Sequence, residues 1–182
     1  MTISAPERSR LVALARAAVE ATVSRKPSPD PGELTGVLAE QRGCFVTLTN
    51  GGELRGCIGT FNPDQPLGEM VVEMARAAAK DPRFVMRPIT ATEVPELNVQ
   101  VSVLSPLELT HEPQKLQVGT HGIYITNGRR GGCFLPEVAT DQGWNAQQFL
   151  SYCCSHKAGL PADAWRMLDT QVFLFTSEKF DE

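Results

Sequence analysis

The same turn is spelled twice in this chain, and that repetition limits the fold more than any other feature. Thr49-Asn50-Gly51 and Thr126-Asn127-Gly128 each interrupt a run of β-branched and aromatic residues. Asn-Gly supplies the positive φ that a tight hairpin needs. Cys44 to Thr49 therefore enters a first hairpin and Glu53 to Phe61 returns from it. Ile123 to Thr126 enters a second, and Gly131 to Leu135 returns. An amphipathic segment follows each hairpin: Leu67 to Lys80, with Leu67, Met70, Val71, Met74 and Ala78 on one face, and Asn145 to Lys157, with Ala146, Phe149, Leu150 and Cys153 inward. A β-rich run follows each helix. Leu97 to Leu104 alternates with period two, and Gln171 to Thr176 closes the second half.

The returning strands also resemble each other in letters, Arg55-Gly56-Cys57 beside Gly131-Gly132-Cys133. Thr-Asn-Gly alone is good turn chemistry and recurs by chance. The shared order of hairpin, helix and strand favours a duplicated unit, and it places Cys57 and Cys133 at equivalent positions. A lone hairpin is marginal in water, so each needs its helix and strand as cover. The expected class is α+β, a mixed sheet flanked by helices. One domain is expected over 1–182, with a first unit over 44–104 and a second over 118–176. Ser4 to Arg25 reads as a helix ahead of the proline-rich connector Lys26 to Gly32, and these fill residues 1–32.

The candidate chemistry centres on the first returning strand. Gly56 and Gly59 flank Cys57-Ile58, and glycine inside a strand signals a bulge or a close approach by ligand or backbone. Arg55 offers a planar fork for an anion. Strict alternation puts it on the same face as Cys57, where a guanidinium would favour the thiolate, unless a bulge shifts the register. The plainer reading of Cys57 is a buried small hydrophobe. His121, between Thr120 and Gly122 on a loop, is a candidate proton carrier, although a surface imidazole without a role fits the same letters. Glu137 could face the same end of the sheet, or simply start a helix after Pro136. Trp144 and Asn145 read as core anchor and N-cap.

A net charge of -4 argues against nucleic acid as a partner. Five cysteines, an odd number without a CxxC pair, fit free thiols in a reducing cytoplasm and not a zinc site. No membrane segment, metal or cofactor is evident in the letters.

Several dispersed motifs then coincide: FVTL with NGGELRGCIGTF, AAAKDPRF (Ala77 to Phe84), ELNVQVSVLSP (Glu96 to Pro106), VGTHGI (Val118 to Ile123) and FLPEVATDQGW (Phe134 to Trp144). With them the chain resembles the AMMECR domain family, and within it the bacterial AmmeMemoRadiSam branch. The resemblance implies an α+β fold and a site in the groove holding the LRGCIG signature, Leu54 to Gly59. It also implies a radical S-adenosylmethionine enzyme and a Memo-like protein as partners, with S-adenosylmethionine and an iron-sulfur cluster in the partner only. Asn145 and Cys133 depart from the family pattern, which implies an acid and a non-cysteine there. Two functions follow as expectations. One is a thiol-centred component in which Cys57 and His121 do chemistry while Arg55, Gly56, Ile58, Gly59 and Glu137 hold the ligand. The other is a non-catalytic module that uses the same groove to bind a ligand or a partner.

Overall fold

The structure is a computed structural model describing residues 2–182. The chain divides into two compact units: the residues up to Leu104 together with Glu178–Glu182, and Ser105–Ser177.

In the first unit, α1 (Ala5–Val23) starts at Ser4, whose backbone N–H donates to Glu7 Oε2 at 3.0 Å in a capping box. It buries Leu11, Val12, Ala15, Ala18 and Val19. The hairpin is β1 (Cys44–Asn50) and β2 (Glu53–Thr60), turning at Gly51 and Gly52 with φ of 55° and 86°. Both central residues carry the positive φ that this two-residue turn requires. Next come α2 (Leu67–Ala78) and β3 (Leu97–Leu104), on which Leu97, Val99, Val101 and Val103 are buried as the alternation predicts. Cys44, Val46 and Leu48 of β1 join them and the inner faces of α1 and α2 in one core.

In the second unit, β4 (Glu108–Thr110) precedes the hairpin of β5 (Gly122–Thr126) and β6 (Gly131–Phe134). A short α3 (Pro136–Gln142) follows, then α4 (Ala146–Tyr152), which continues as a π-helix through Cys153–Ala158 and stops at Gly159 with φ 64°. Asn145 caps α4 as expected, its side chain accepting from the Gln148 N–H at 2.9 Å. The closing strands are β7 (Gln171–Phe175) and β8 (Ser177–Phe180). Ile123, Ile125, Phe134, Phe149, Leu150, Trp165 and Val172 form this unit's core.

The α+β class is as expected, with the strands divided between two four-stranded sheets ordered β2-β1-β3-β8 and β4-β7-β5-β6. In each, the incoming hairpin strand lies between its returning strand and the strand that follows the helices. The register agrees as well. Thr47 faces Cys57 on one side and Gln100 on the other, and Tyr124 faces Cys133 and Phe173. Thr47 and Tyr124 each stand two residues before the threonine of Thr-Asn-Gly, so Cys57 and Cys133 occupy equivalent positions. The fourth strands are exchanged: β4 follows β3 in sequence but pairs with β7, and β8 follows β7 but lies beside β3. The short strands β4 and β8 carry no alternating pattern, and the sequence reading passed over them. Among the described residues no helix is long and apolar enough to cross a membrane.

Candidate functional site

The signature strand β2 does not alternate simply. Thr49 faces Leu54 while Leu48 faces Gly56, so a β-bulge puts Arg55 and Gly56 together opposite one residue. The bulge turns Arg55 to the helix-covered side of the sheet, where it is 2% exposed. Glu93 meets it there as a bidentate partner: Nε donates to Oε1, and Nη2 donates to Oε2 at 3.0 Å. Nη2 also donates to the Arg87 carbonyl at 3.0 Å. The guanidinium holds the Glu93 carboxyl below its ordinary range, with the Asn50 amide adding to the effect. Nη1 is buried without a hydrogen-bond partner. Cys57 lies on the other face, opposite Thr47, whose Oγ1 stands 3.3 Å from the sulfur. The shared face that alternation predicted for Arg55 and Cys57 is therefore undone by the bulge, and the guanidinium is committed to Glu93.

A second ion pair holds the edge. β2 ends its sheet, so the backbone groups on its outer side lack a neighbouring strand. The Cys57 N–H donates to Asp81 Oδ2 at 3.0 Å, and Arg83 Nη2 donates to the Cys57 carbonyl at 3.1 Å. Arg83 also binds the Asp81 carboxylate through Nε at 3.0 Å and Nη2 at 2.6 Å. Asp81 is 3% exposed. Its carboxyl is held well below the usual carboxylate range, first by Arg83 and then by the N–H groups of Cys57 and Arg83, against the cost of burial. The Phe84 ring sits 5.9 Å from the guanidinium carbon of Arg55 and 5.7 Å from that of Arg83.

The two glycines mark close approach, but by the chain itself. A Cβ on Gly56 would collide with the Ala78 carbonyl at the end of α2, and one on Gly59 with the Phe45 ring and the Cys44 carbonyl. Neither has positive φ. Of the close neighbours the sequence allowed, ligand or backbone, it is backbone, with the Phe45 ring, that fills the space. Ile58 packs on the core of the first unit.

His121 and Glu137 belong to the second unit. His121 is half-buried and accepts the Gln117 N–H at Nδ1, at 3.1 Å. Glu137 is half-buried in the first turn of α3. Cys133 is half-buried, and burial pushes its thiol up to about 11. Cys44, Cys153 and Cys154 are fully covered, and all five thiols are free. Among the described residues no three His, Cys, Asp or Glu side chains cluster as metal ligands would.

Sequence reasoning missed Asp81, Arg83 and Glu93. The first two were visible in AAAKDPRF but read only as part of a family motif. Glu93 lies 38 residues from Arg55 in sequence, and nothing local announces the pair.

A family model described as AMMECR1 matches residues 12–180. Protein TK0174 of Thermococcus kodakarensis is 44% identical, the match covering 94% of this chain and 88% of that protein. Protein MK0488 of Methanopyrus kandleri is 41% identical, covering 94% and 86%. Among solved structures, the uncharacterized protein PH0010 from Pyrococcus horikoshii superposes with a TM-score of 0.82 at 40% identity, over 94% of this chain and 89% of that one. The bulged signature strand, its two ion pairs and the duplicated hairpin thus sit in a chain that belongs to the AMMECR1 family.

Proposed function

We propose that this chain is a cytoplasmic binding component of an AmmeMemoRadiSam-type system, a module that holds a ligand or a partner for a radical S-adenosylmethionine enzyme and a Memo-like protein. In this reading S-adenosylmethionine and the iron-sulfur cluster belong to the radical enzyme, and this chain acts through shape and charge. The observation that carries the reading is the commitment of the signature's polar groups. Arg55 is fixed by Glu93 and the Arg87 carbonyl, and both peptide groups of Cys57 are clamped by Asp81 and Arg83. Groups held this way build a rigid surface. Arg55 is turned away from the thiol, and Arg83, the cation that does reach Cys57, is itself paired with Asp81.

A thiol-centred role is the second reading. Its support is that Cys57 is half-buried and meets a hydroxyl, while Cys44, Cys153 and Cys154 are covered completely. One experiment separates the two. The chain is mixed with the purified radical enzyme and Memo-like protein, the complex is followed by size-exclusion chromatography, and small molecules and peptides treated with it are analysed by mass spectrometry. Cys57→Ser leaves both complex and product intact if the chain is a binding module. Loss of product with an intact complex supports the thiol, and the absence of any complex with either partner removes the system assignment.

A further inference from the structure

Four cations gather where α1 and α2 end. Arg25, Lys26, Arg76 and Lys80 line a cavity of about 520 Å³ with Thr22 and Ile89, and no acidic residue contributes to its wall. Among the described residues none of the four side chains has a hydrogen-bond or ion-pair partner. The chain as a whole carries a net charge of -4, so an unmatched basic cluster is not a product of composition.

Helix dipoles account for part of the cluster. The C-terminus of a helix carries roughly half a negative charge, so two ends offset about one of the four cations. About three remain, and two local features work against them. Arg76, in the last turn of α2, and Lys80, just past its end, line the same cavity and repel. Arg25 has φ 56°, the only non-glycine positive φ among the described residues, in a helix stop where the Lys26 N–H reaches the Ala21 carbonyl at 2.7 Å. Glycine is the ordinary residue there, and an arginine in a left-handed conformation costs conformational energy that a neutral surface would have no reason to retain.

A second cavity of about 460 Å³ adjoins the first and shares Ala79, Lys80, Pro88 and Ile89 with it. Phe84 and Val85 give it an apolar wall, and Arg55, whose Nη1 is buried without a partner, lines it as well. We propose that the two cavities bind a small phosphate ester with an apolar body. The phosphate sits among Arg25, Lys26, Arg76 and Lys80, and the body lies against Phe84, Val85 and Ile89. A phosphate monoester carries nearly two negative charges at neutral pH, which suits the surplus better than a carboxylate does. The volume suits a drug-sized molecule. The proposal deepens the binding-module reading by naming a ligand class, but it concerns this chain alone and stands or falls without the partners.

The test titrates the full chain at low salt with 1-naphthyl phosphate, inorganic phosphate and 1-naphthol, by calorimetry. 1-Naphthyl phosphate binds at least tenfold tighter than either half-ligand, and weakens as salt rises. The double variant Arg76→Gln/Lys80→Gln loses at least tenfold in affinity with an unchanged melting temperature, while Arg129→Gln/Arg130→Gln does not change it. Equal affinity in the wild type and the Arg76/Lys80 variant, or no saturable binding to the wild type, overturns the proposal. Sedimentation with phosphatidylcholine vesicles, with and without phosphatidate, distinguishes the source. Phosphatidate-dependent pelleting that Arg76→Gln/Lys80→Gln abolishes assigns a lipid, and saturable 1-naphthyl phosphate binding without pelleting assigns a soluble ester.

Discussion

Strands β2 and β6 are the same element in two settings. Each returns from a Thr-Asn-Gly hairpin, each puts a cysteine opposite the residue two before that threonine, and each runs a glycine under a helix end. Gly56 lies against the Ala78 carbonyl, and Gly132 against the backbone of Lys157 and Ala158. The difference is one residue. Ile125 faces Gly132 alone, whereas Leu48 is met by both Arg55 and Gly56. That single insertion bulges β2, buries a guanidinium and calls for Glu93 to neutralise it. The Asp81–Arg83 clamp then secures the peptide that follows. The helix-packing glycine belongs to the common frame, and the charged machinery is found at one strand only.

The largest effects should fall on the common frame. Gly56→Val and Gly132→Val each force a side chain into backbone that cannot rotate away, and overpacking of this kind costs about 3 kcal/mol or more. Both variants should melt far below the wild type in thermal denaturation, by similar amounts. A mild Gly132→Val beside a severe Gly56→Val would break the equivalence. Next comes Arg55→Ala, which strands the Glu93 carboxylate in a place with little solvent and should cost about 3 kcal/mol in urea unfolding. Arg55→Met with Glu93→Leu should recover most of that loss, because an apolar pair of similar volume leaves no charge unmatched. If the double variant is as unstable as Arg55→Ala, the pair holds something beyond its own charge.

Asp81→Asn should cost about 2 kcal/mol, the worth of hydrogen bonds to a charged group. This loss depends on pH. The folded carboxyl is depressed below its unfolded value near ~3.9, so its stabilisation is fully present above that value and is lost as pH falls below it. Wild type and Asp81→Asn should therefore differ most at neutral pH and converge in acid. A constant gap from pH 7 to pH 3 would contradict the clamp. The smallest effect is chemical. Mass-mapped iodoacetamide labelling of the folded chain at pH 8 should reach Cys57 first. Cys133, with its thiol pushed up to about 11, holds only about one thiolate in a thousand there, and Cys44, pushed up to about 12 by burial, holds fewer. Equal rates at Cys57 and Cys133 would remove the chemical distinction between the copies.

What the letters revealed depended on how far each interaction reaches. The hairpins, α1, α2, α4 and β3 rest on turn residues, caps and periodicity within a dozen positions, and they were legible. Asn145 was readable as a cap for the same reason. A bulge was among the readings of Gly56, but its place was not legible, because Leu54-Arg55-Gly56 looks like any strand until the partner register is known. The reach from Arg55 to Glu93 and the bond from Asp81 to the Cys57 N–H are tertiary events between segments that each look ordinary. Gly56 and Gly59 were read correctly as signs of crowding. Which of the two expected occupants it was, ligand or backbone, was not legible, since a helix end and a phenyl ring leave the same mark in sequence as a ligand. The cations at the ends of α1 and α2 lie about fifty residues apart in sequence, and only the packing of those helices brings them to one cavity.

The exchanged fourth strands bear on how the chain is made. On the ribosome, the residues up to Leu104 emerge with three strands of their sheet and the helices α1 and α2 that cover it. The outer edge of β3 then waits until Ser177–Phe180 leaves the exit tunnel. A nascent chain stalled anywhere in the second half would show that edge to its neighbours on the same message, a template for pairing with the wrong copy. The segment Ser177–Phe180 therefore decides whether the sheet of the first unit ends up correctly closed.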